Sequence, residues 1–343
     1  MKGLIVCAGK GSRLRPFTLS RPKTMIPVAN KAILFYEIEK LANEGIRDIG
    51  IVIHPSQEAM IYEEAGDGEK FGVTLTYLYQ NEPKGIADAV AVAEDFIQGS
   101  DFVLMLGDNL VKEPLGPLMD QMITAEACIL LTEVTNPQQY GVAEINGDEI
   151  VRLVEKPLYP KSNLVIVGVY AFKSGIFDQI RNLSASARGE LEITDAIQRL
   201  IDRNSKVAFA ITNQNVSDVG NTERWLEANI WMMDEVCQGG NVISSEATLI
   251  NCKLHEPVII GPGCRLENCT IGPYVSIMSG TRLDDCIIDH SILLRDITIS
   301  GTGKSIISSS ILGDKVSISR PSEAFTKGRF ILGDLSHFSW TES

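Results

Sequence analysis

Short apolar runs and stretches of helical period alternate along the first hundred residues. Leu4, Ile5, Val6 and Cys7 are unbroken within Met1 to Ala8 and predict a buried strand. From Ala32 to Glu44 the residues Leu34, Phe35, Ile38, Leu41 and Ala42 fall on one helical face, and Gly45 supplies the stop. Ile49 to Ile53 predicts a second strand, Gln57 to Ala65 a helix, and the alternation of Val73, Leu75, Tyr77 and Tyr79 a third strand. Ile86 to Ile97 reads as an alanine-rich helix, and Phe102 to Leu106 as a strand ending in Gly107-Asp108-Asn109. Short strands alternating with helices predict a Rossmann-like, doubly wound parallel α/β sheet. Ligands of such sheets sit at the carboxyl ends of the strands, where Gly9, Gln80 and Asp108 fall.

Strands then crowd together: Cys128 to Val134, Val142 to Ile145, Ile150 to Glu155 and Leu164 to Phe172, a pattern of antiparallel additions. Glu190 to Asp195 opens a helix through Ile201, Val207 to Ile211 is a late strand, and Thr222 to Cys237 is a long helix. Gly239-Gly240 closes a first domain, residues 1–240. Residues 241–343 repeat: Leu249-Ile250-Asn251-Cys252, Leu266-Glu267-Asn268-Cys269 and Leu283-Asp284-Asp285-Cys286 recur at a spacing of 17. Shorter steps link Ile260, Leu266, Ile271, Ile277, Leu283 and Ile288, the rungs of a triangular solenoid of roughly four coils, which resembles the left-handed parallel β-helix built from hexapeptide repeats. Cys252, Cys269 and Cys286 stack one coil apart and read as small apolar filler, because no short Cys-Cys pair of zinc spacing accompanies them.

The 343 residues predict two domains, and 44% apolar content with 6% aromatic excludes a disordered chain. A formal net charge of −13 excludes a nucleic-acid-binding role and favours a small anionic substrate held by a local cluster of cations. No run reaches the about 18 apolar residues of a membrane span. Seven cysteines without paired spacing predict reduced thiols in a cytoplasmic protein.

That cation cluster follows the first strand. Ala8, Gly9, Gly11 and Ser12 form a small-residue turn whose amide N–H groups can converge on an anion, and Lys10, Arg13, Arg15 and Lys23 surround it. The spacing lacks the Gly-Lys-Ser/Thr end of a Walker loop and the third glycine of a dinucleotide fingerprint, which leaves a plain tight turn as the alternative. Asp108 and Asp218 are carboxylates at strand ends facing this loop, a pair suited to Mg²⁺ shared with substrate phosphates; for Asp218 a helix N-cap is the competing role.

The whole string, Gly9-Lys10-Gly11-Ser12-Arg13-Leu14-Arg15-Pro16 followed by Pro22-Lys23-Thr24-Met25-Ile26-Pro27-Val28, resembles the signature of the sugar-phosphate nucleotidylyltransferases. Ala8 stands where many of that family have another glycine. Along its full length the chain resembles the long glucose-1-phosphate thymidylyltransferase group, with the β-helix appended. The resemblance implies that Gln80, in Gln-x-x-Pro-x-Gly with Pro83 and Gly85, pairs with uracil or thymine. It implies a sugar pocket of Gly141, Glu155, Lys156, Ile166 and Tyr170, with Lys156 on the sugar phosphate, and Mg²⁺ on Asp108 and Asp218. Arg13 and Lys23 would stabilise the triphosphate and the departing pyrophosphate. Asn221 replaces the usual threonine of Asp-x-Gly-Thr. The implied substrates are dTTP or UTP with a sugar 1-phosphate, and the implied assembly is a homo-oligomer built through the β-helix. Two other readings stay open: acetyl transfer by the β-helix with His290 as base, and a catalytically silent, nucleotide-sugar-binding regulator.

Overall fold

The computed structural model describes residues 1–9, 11–301, 306–319 and 327–339, so Lys10 of the cation cluster lies outside the described residues. Contacts divide the chain into two compact units. One comprises residues 1–10, 23–25 and 33–218; the other comprises 11–22, 26–32 and 219–343.

The first unit is built on a sheet with a parallel half and a mostly antiparallel half, in which Val207–Ile211 alone runs parallel to its neighbour Ala127–Glu133. Lys2–Val6 lies between Asp48–Ile53 and Phe102–Leu106, parallel to both, and Thr74–Tyr79 continues the parallel half beyond Asp48–Ile53. Leu4 and Ile5 point to opposite faces and are both 0% exposed, so both faces of this strand are covered, as its unbroken apolar run requires. The chain runs outward on one side of Lys2–Val6 and returns on the other at Phe102–Leu106. That reversal is the switch point at which open α/β sheets leave a crevice.

Leu164–Phe172 joins the halves, running antiparallel to Phe102–Leu106, Ala127–Glu133 and Gly141–Asn146. Its register with Ala127–Glu133 shifts between Ile166 and Tyr170. At the shift Gly168 has φ +72°, and a Cβ there would lie 2.3 Å from the Asn109 amide, which donates to the Val167 carbonyl. Only glycine meets both demands.

Two predicted helices differ in detail. Ile86 to Ile97 is two pieces, Ile86–Ala91 and Glu94–Ile97, because the Ala93 N–H donates to the Val90 carbonyl three residues back and tightens the turn between them. The helix expected from Glu190 begins only at Ile193. Leu191 is held instead by the Gln80 loop: its N–H donates to the Lys84 carbonyl at 2.7 Å, and its carbonyl accepts from Ala87 at 3.0 Å.

The second unit contains the β-helix. Its parallel sheets hold six, six and five strands among the described residues, which is more than the roughly four coils expected. One column shows why: Leu249, Leu266, Leu283, Ile299, Ile318 and Phe338 are successive register partners. Later turns are longer than the 17-residue period, so a fixed period misses them. Of the predicted filler cysteines Cys269 and Cys286 are buried in this core and Cys252 is partly buried against it, and all seven cysteines are free thiols.

Thr222–Cys237 packs in this unit with the segment 26–32. The indole N–H of Trp225 donates to the Pro27 carbonyl at 2.7 Å, and its ring meets Phe17 edge-on with centroids 5.1 Å apart. Asn229, 2% exposed, accepts from the Ala29 N–H and the Ser276 hydroxyl. No helix among the described residues is long and apolar enough to cross a membrane.

Candidate active site

In the first unit a cavity of about 420 Å³ opens at the carboxyl ends of the parallel strands. Ala8, Gly9, Lys23, Gln80, Gly85 and Asp108 line it together with Cys7, Thr24, Pro83, Leu106 and Glu190. Six residues singled out in sequence are thus gathered from four segments by the switch-point topology.

Lys23 and Asp108 form an ion pair here, with the Lys23 side chain 9% exposed and that of Asp108 32%. A buried ammonium needs this partner, since an unpaired charge in low dielectric is costly. Gly107 keeps the strand end close to the first strand: a Cβ at this position would lie 2.5 Å from the Cys7 sulfur.

Gln80 is 5% exposed, and its Nε2 donates twice, to the Gly85 carbonyl at 3.1 Å and to Asp88 Oδ2 at 2.7 Å. Because a carboxylate accepts only, Asp88 fixes which end of the amide is nitrogen. With both amide hydrogens engaged, Oε1 is the end available for an outside donor. Gly85 holds the loop at φ +110°, where a Cβ would come within 2.4 Å of the Leu191 carbonyl oxygen.

The expected sugar residues form a second polar cluster. Thr194 Oγ1 donates to Glu155 Oε2 at 2.7 Å, and Lys156 Nζ lies 3.3 Å from Glu155 Oε1. A Cβ on Gly141 would meet Glu155 Oε2 and Thr194 Oγ1 at 3.1 Å and Ile166 Cδ1 at 3.2 Å, so these four residues converge. Arg188 ties the cluster to the cavity: it reaches Glu155 at 3.4 Å, Glu192 at 3.3 Å and the cavity-lining Glu190 at 3.3 Å. Burial, then the charge of Glu155, pushes the Glu192 carboxyl up. Tyr170 is 3% exposed and its ring stacks on Phe172 in the core, which makes it a packing residue whose phenol burial pushes upward.

Asp218 ends the strand Val216–Asp218, where it is the register partner of Asn109, the residue after Asp108. The two carboxylates therefore sit at one end of a two-stranded ribbon. Asn221 relieves Asp218 of the capping role: its side chain caps the Thr222–Cys237 helix by accepting from the Arg224 N–H at 2.9 Å. No group of three or more His, Cys, Asp and Glu able to hold a metal occurs among the described residues. A site closed by protein ligands alone is thus not offered. Two carboxylates do fit Mg²⁺, which keeps waters and completes its shell with substrate phosphates.

Beneath this end lies Glu37, 2% exposed on the buried face of Ile33–Asn43. Burial, then the charge of Asp108, pushes its carboxyl well above the ordinary range.

The remaining expected loop residues belong to the second unit. Gly11, at φ +59°, precedes the short 3-10 helix Ser12–Leu14 that carries Arg13, and its carbonyl accepts from Leu14 N–H and Thr18 Oγ1. Glu37 and Arg188 were not singled out in sequence. Thr194 and the cavity-lining Glu190 stand in the string Glu190-Leu191-Glu192-Ile193-Thr194-Asp195, which was legible; Glu37 looks like any helical glutamate until its burial is seen.

A crevice at the switch point, a small-residue turn, a buried lysine and strand-end carboxylates make this the candidate site of the fold. The family model for nucleotidyl transferases matches residues 2–235, and the chain belongs to that family. A glucose-1-phosphate thymidylyltransferase of Streptomyces griseus is 36% identical over 98% of both chains. A Haloferax volcanii relative, the low-salt glycan biosynthesis nucleotidyltransferase Agl11, is 40% identical over 73% of this chain and 71% of its own. Among solved structures, a Bacillus anthracis protein described as a glucose-1-phosphate thymidylyltransferase, in complex with sucrose, superposes with a TM-score of 0.64 at 33% identity. It covers 67% of this chain and 94% of its own.

Proposed function

We propose that the chain transfers a thymidylyl group from dTTP to glucose 1-phosphate, releasing pyrophosphate and forming dTDP-glucose. The observation that carries this reading is that one cavity is lined together by Ala8-Gly9, Lys23, Gln80, Gly85 and Asp108. The nearly full-length likeness to the Streptomyces griseus thymidylyltransferase supports the choice of substrates.

An oxygen of the sugar phosphate attacks the α-phosphorus, and the bond from that phosphorus to the bridging oxygen breaks, the pyrophosphate leaving with the electron pair. The attacking group is already anionic, so positioning and charge neutralisation suffice and no general base is required. The amides of the Ala8-Gly9 turn, with Gly11 and Ser12 by their motif, take the phosphates. Gln80 Oε1 accepts from the imide N–H of the base, a donor that thymine and uracil share and cytosine lacks. Lys23 and Arg13 stabilise the triphosphate and the leaving pyrophosphate, while Lys156 holds the sugar phosphate and Glu155 accepts from sugar hydroxyls. Asp108 and Asp218 would hold Mg²⁺, which supplies charge neutralisation at the α-phosphate when bound.

The test is pyrophosphate release with glucose 1-phosphate and Mg²⁺, run in parallel with dTTP, UTP, CTP, GTP and ATP. Turnover selective for dTTP supports the proposal, and selectivity for UTP replaces the nucleotide while keeping the role of Gln80. Absence of turnover with every nucleotide and sugar 1-phosphate, alongside tight binding of a nucleotide sugar, replaces it with a regulatory role.

A further inference from the structure

The loop 11–22, which carries Arg13 and joins Gly9 to Lys23 in sequence, folds as part of the same compact unit as the β-helix. Its far end is held by charge. Arg21 Nη2 donates to Asp314 Oδ2 at 2.6 Å and to Asp334 Oδ2 at 3.0 Å, with the Arg21 side chain only 11% exposed. The Arg21 Nε is buried with no hydrogen-bond partner, so these two carboxylates are what compensate the guanidinium. Ser20 donates to the same oxygen of Asp334.

Both carboxylates are pre-set by the solenoid. Asp314 Oδ1 accepts the Arg295 N–H at 2.9 Å, and Asp334 Oδ1 accepts the Asp314 N–H at 2.8 Å. Each second oxygen is thereby aimed at Arg21.

The coil sequence carries the matching signal. Ile311-Leu312-Gly313-Asp314 and Ile331-Leu332-Gly333-Asp334 repeat, and their strands pair in register. One coil earlier Ile292-Leu293 is followed by Leu294-Arg295, so Gly-Asp is absent from that turn. Gly333 has its own reason: a Cβ there would lie 2.7 Å from Pro16 Cγ. Pro16 resting on Gly333 is a second hold on the loop, independent of the ion pairs.

We infer that Arg21, Asp314 and Asp334 form a clamp by which the last coils of the β-helix hold the loop 11–22, the loop that carries Arg13. Arg21 is a positioning residue in this scheme. The inference rests on the function proposed above for Arg13, and the clamp itself can be read without it.

The experiment uses the full chain with Arg21→Gln, Arg21→Lys and the double variant Asp314→Asn/Asp334→Asn. Hydrogen exchange across residues 11–22 reads the clamp directly, and steady-state kinetics read its consequence. Arg21→Gln should speed exchange in this peptide and raise KM for the triphosphate about tenfold, leaving KM for the sugar phosphate within about twofold. Arg21→Lys should recover part of the loss. The aspartate double variant should match Arg21→Gln, and combining the two should add nothing further, the non-additivity expected of one interacting unit. Unchanged exchange across 11–22, or an unchanged KM for the triphosphate in an active enzyme, overturns the inference. If the wild type turns over no nucleotide, the function reading fails, and faster exchange in both Arg21→Gln and the aspartate double variant still establishes the clamp.

Discussion

Lys23 and Asp108 depend on each other in a way that separates folding from chemistry. Asp108→Asn leaves a nearly buried ammonium against a neutral amide, and should cost about 1–3 kcal/mol in urea unfolding as well as about a hundredfold in kcat. Adding Lys23→Met removes the uncompensated charge, so the double variant should regain much of the stability and stay inactive. A double variant as unstable as Asp108→Asn alone would show that the ion pair is not the source of the loss. Glu37 makes a pH-dependent prediction. Its carboxyl is raised in the folded state by burial first and by Asp108 second. Its contribution to stability is therefore complete below the unfolded pKa of about 4.3 and is lost as pH rises toward the folded value. Without divalent metal, the urea midpoint of Glu37→Gln should fall less between about pH 5 and pH 8 than that of the wild type. Parallel pH profiles would contradict this.

The Gln80 loop shows what an element contributes that its residues alone do not. Leu191 exchanges backbone hydrogen bonds with Lys84 and Ala87 ahead of a helix that starts at Ile193, and its close approach leaves no room for a side chain at position 85. Gly85→Ala should therefore destabilise by about 2–4 kcal/mol, from the positive φ together with the 2.4 Å approach to the Leu191 oxygen. Urea unfolding checks it, and a change below about 0.5 kcal/mol would mean that the loop relaxes away from Leu191. The strands of the large sheet were legible to within a residue or two from apolar runs and alternation, whereas the short ribbon of Asn109–Val111 and Val216–Asp218 was not. The split at Val92-Ala93 and the delayed helix start were not legible, since backbone bonds decide them.

At the scale of the whole molecule the β-helix is more than an appendage. Trp225, 0% exposed, packs on Phe17 and bonds Pro27, and Asn229 and Asn30 bond Ser276 and Ile277 of the solenoid. A chain ending at Gly240 should accordingly lose more than an oligomer contact. It loses the Ser276 and Ile277 partners of Asn229 and Asn30, so its thermal midpoint should fall by several degrees, or about 1 kcal/mol and upward in stability. A wild-type midpoint in the shortened chain would show that the first 240 residues fold alone. The assembly of the full chain as a homo-oligomer through the solenoid remains our proposal, and sedimentation of the full chain tests it.

The sequence by itself determined the alternation of strands and helices, the solenoid and the motif residues, because periodicity and glycine–cation strings are local properties. The length of the solenoid was only partly legible, since the later coils depart from the 17-residue period. Tertiary structure alone decided that Glu37 is buried near Asp108, that Tyr170 packs in the core and that Asn221 caps the helix after Asp218. It also decided that Arg21 meets Asp314 and Asp334, 293 and 313 residues away. Burial and charge pairing depend on which distant segments share a space, and no local pattern records that.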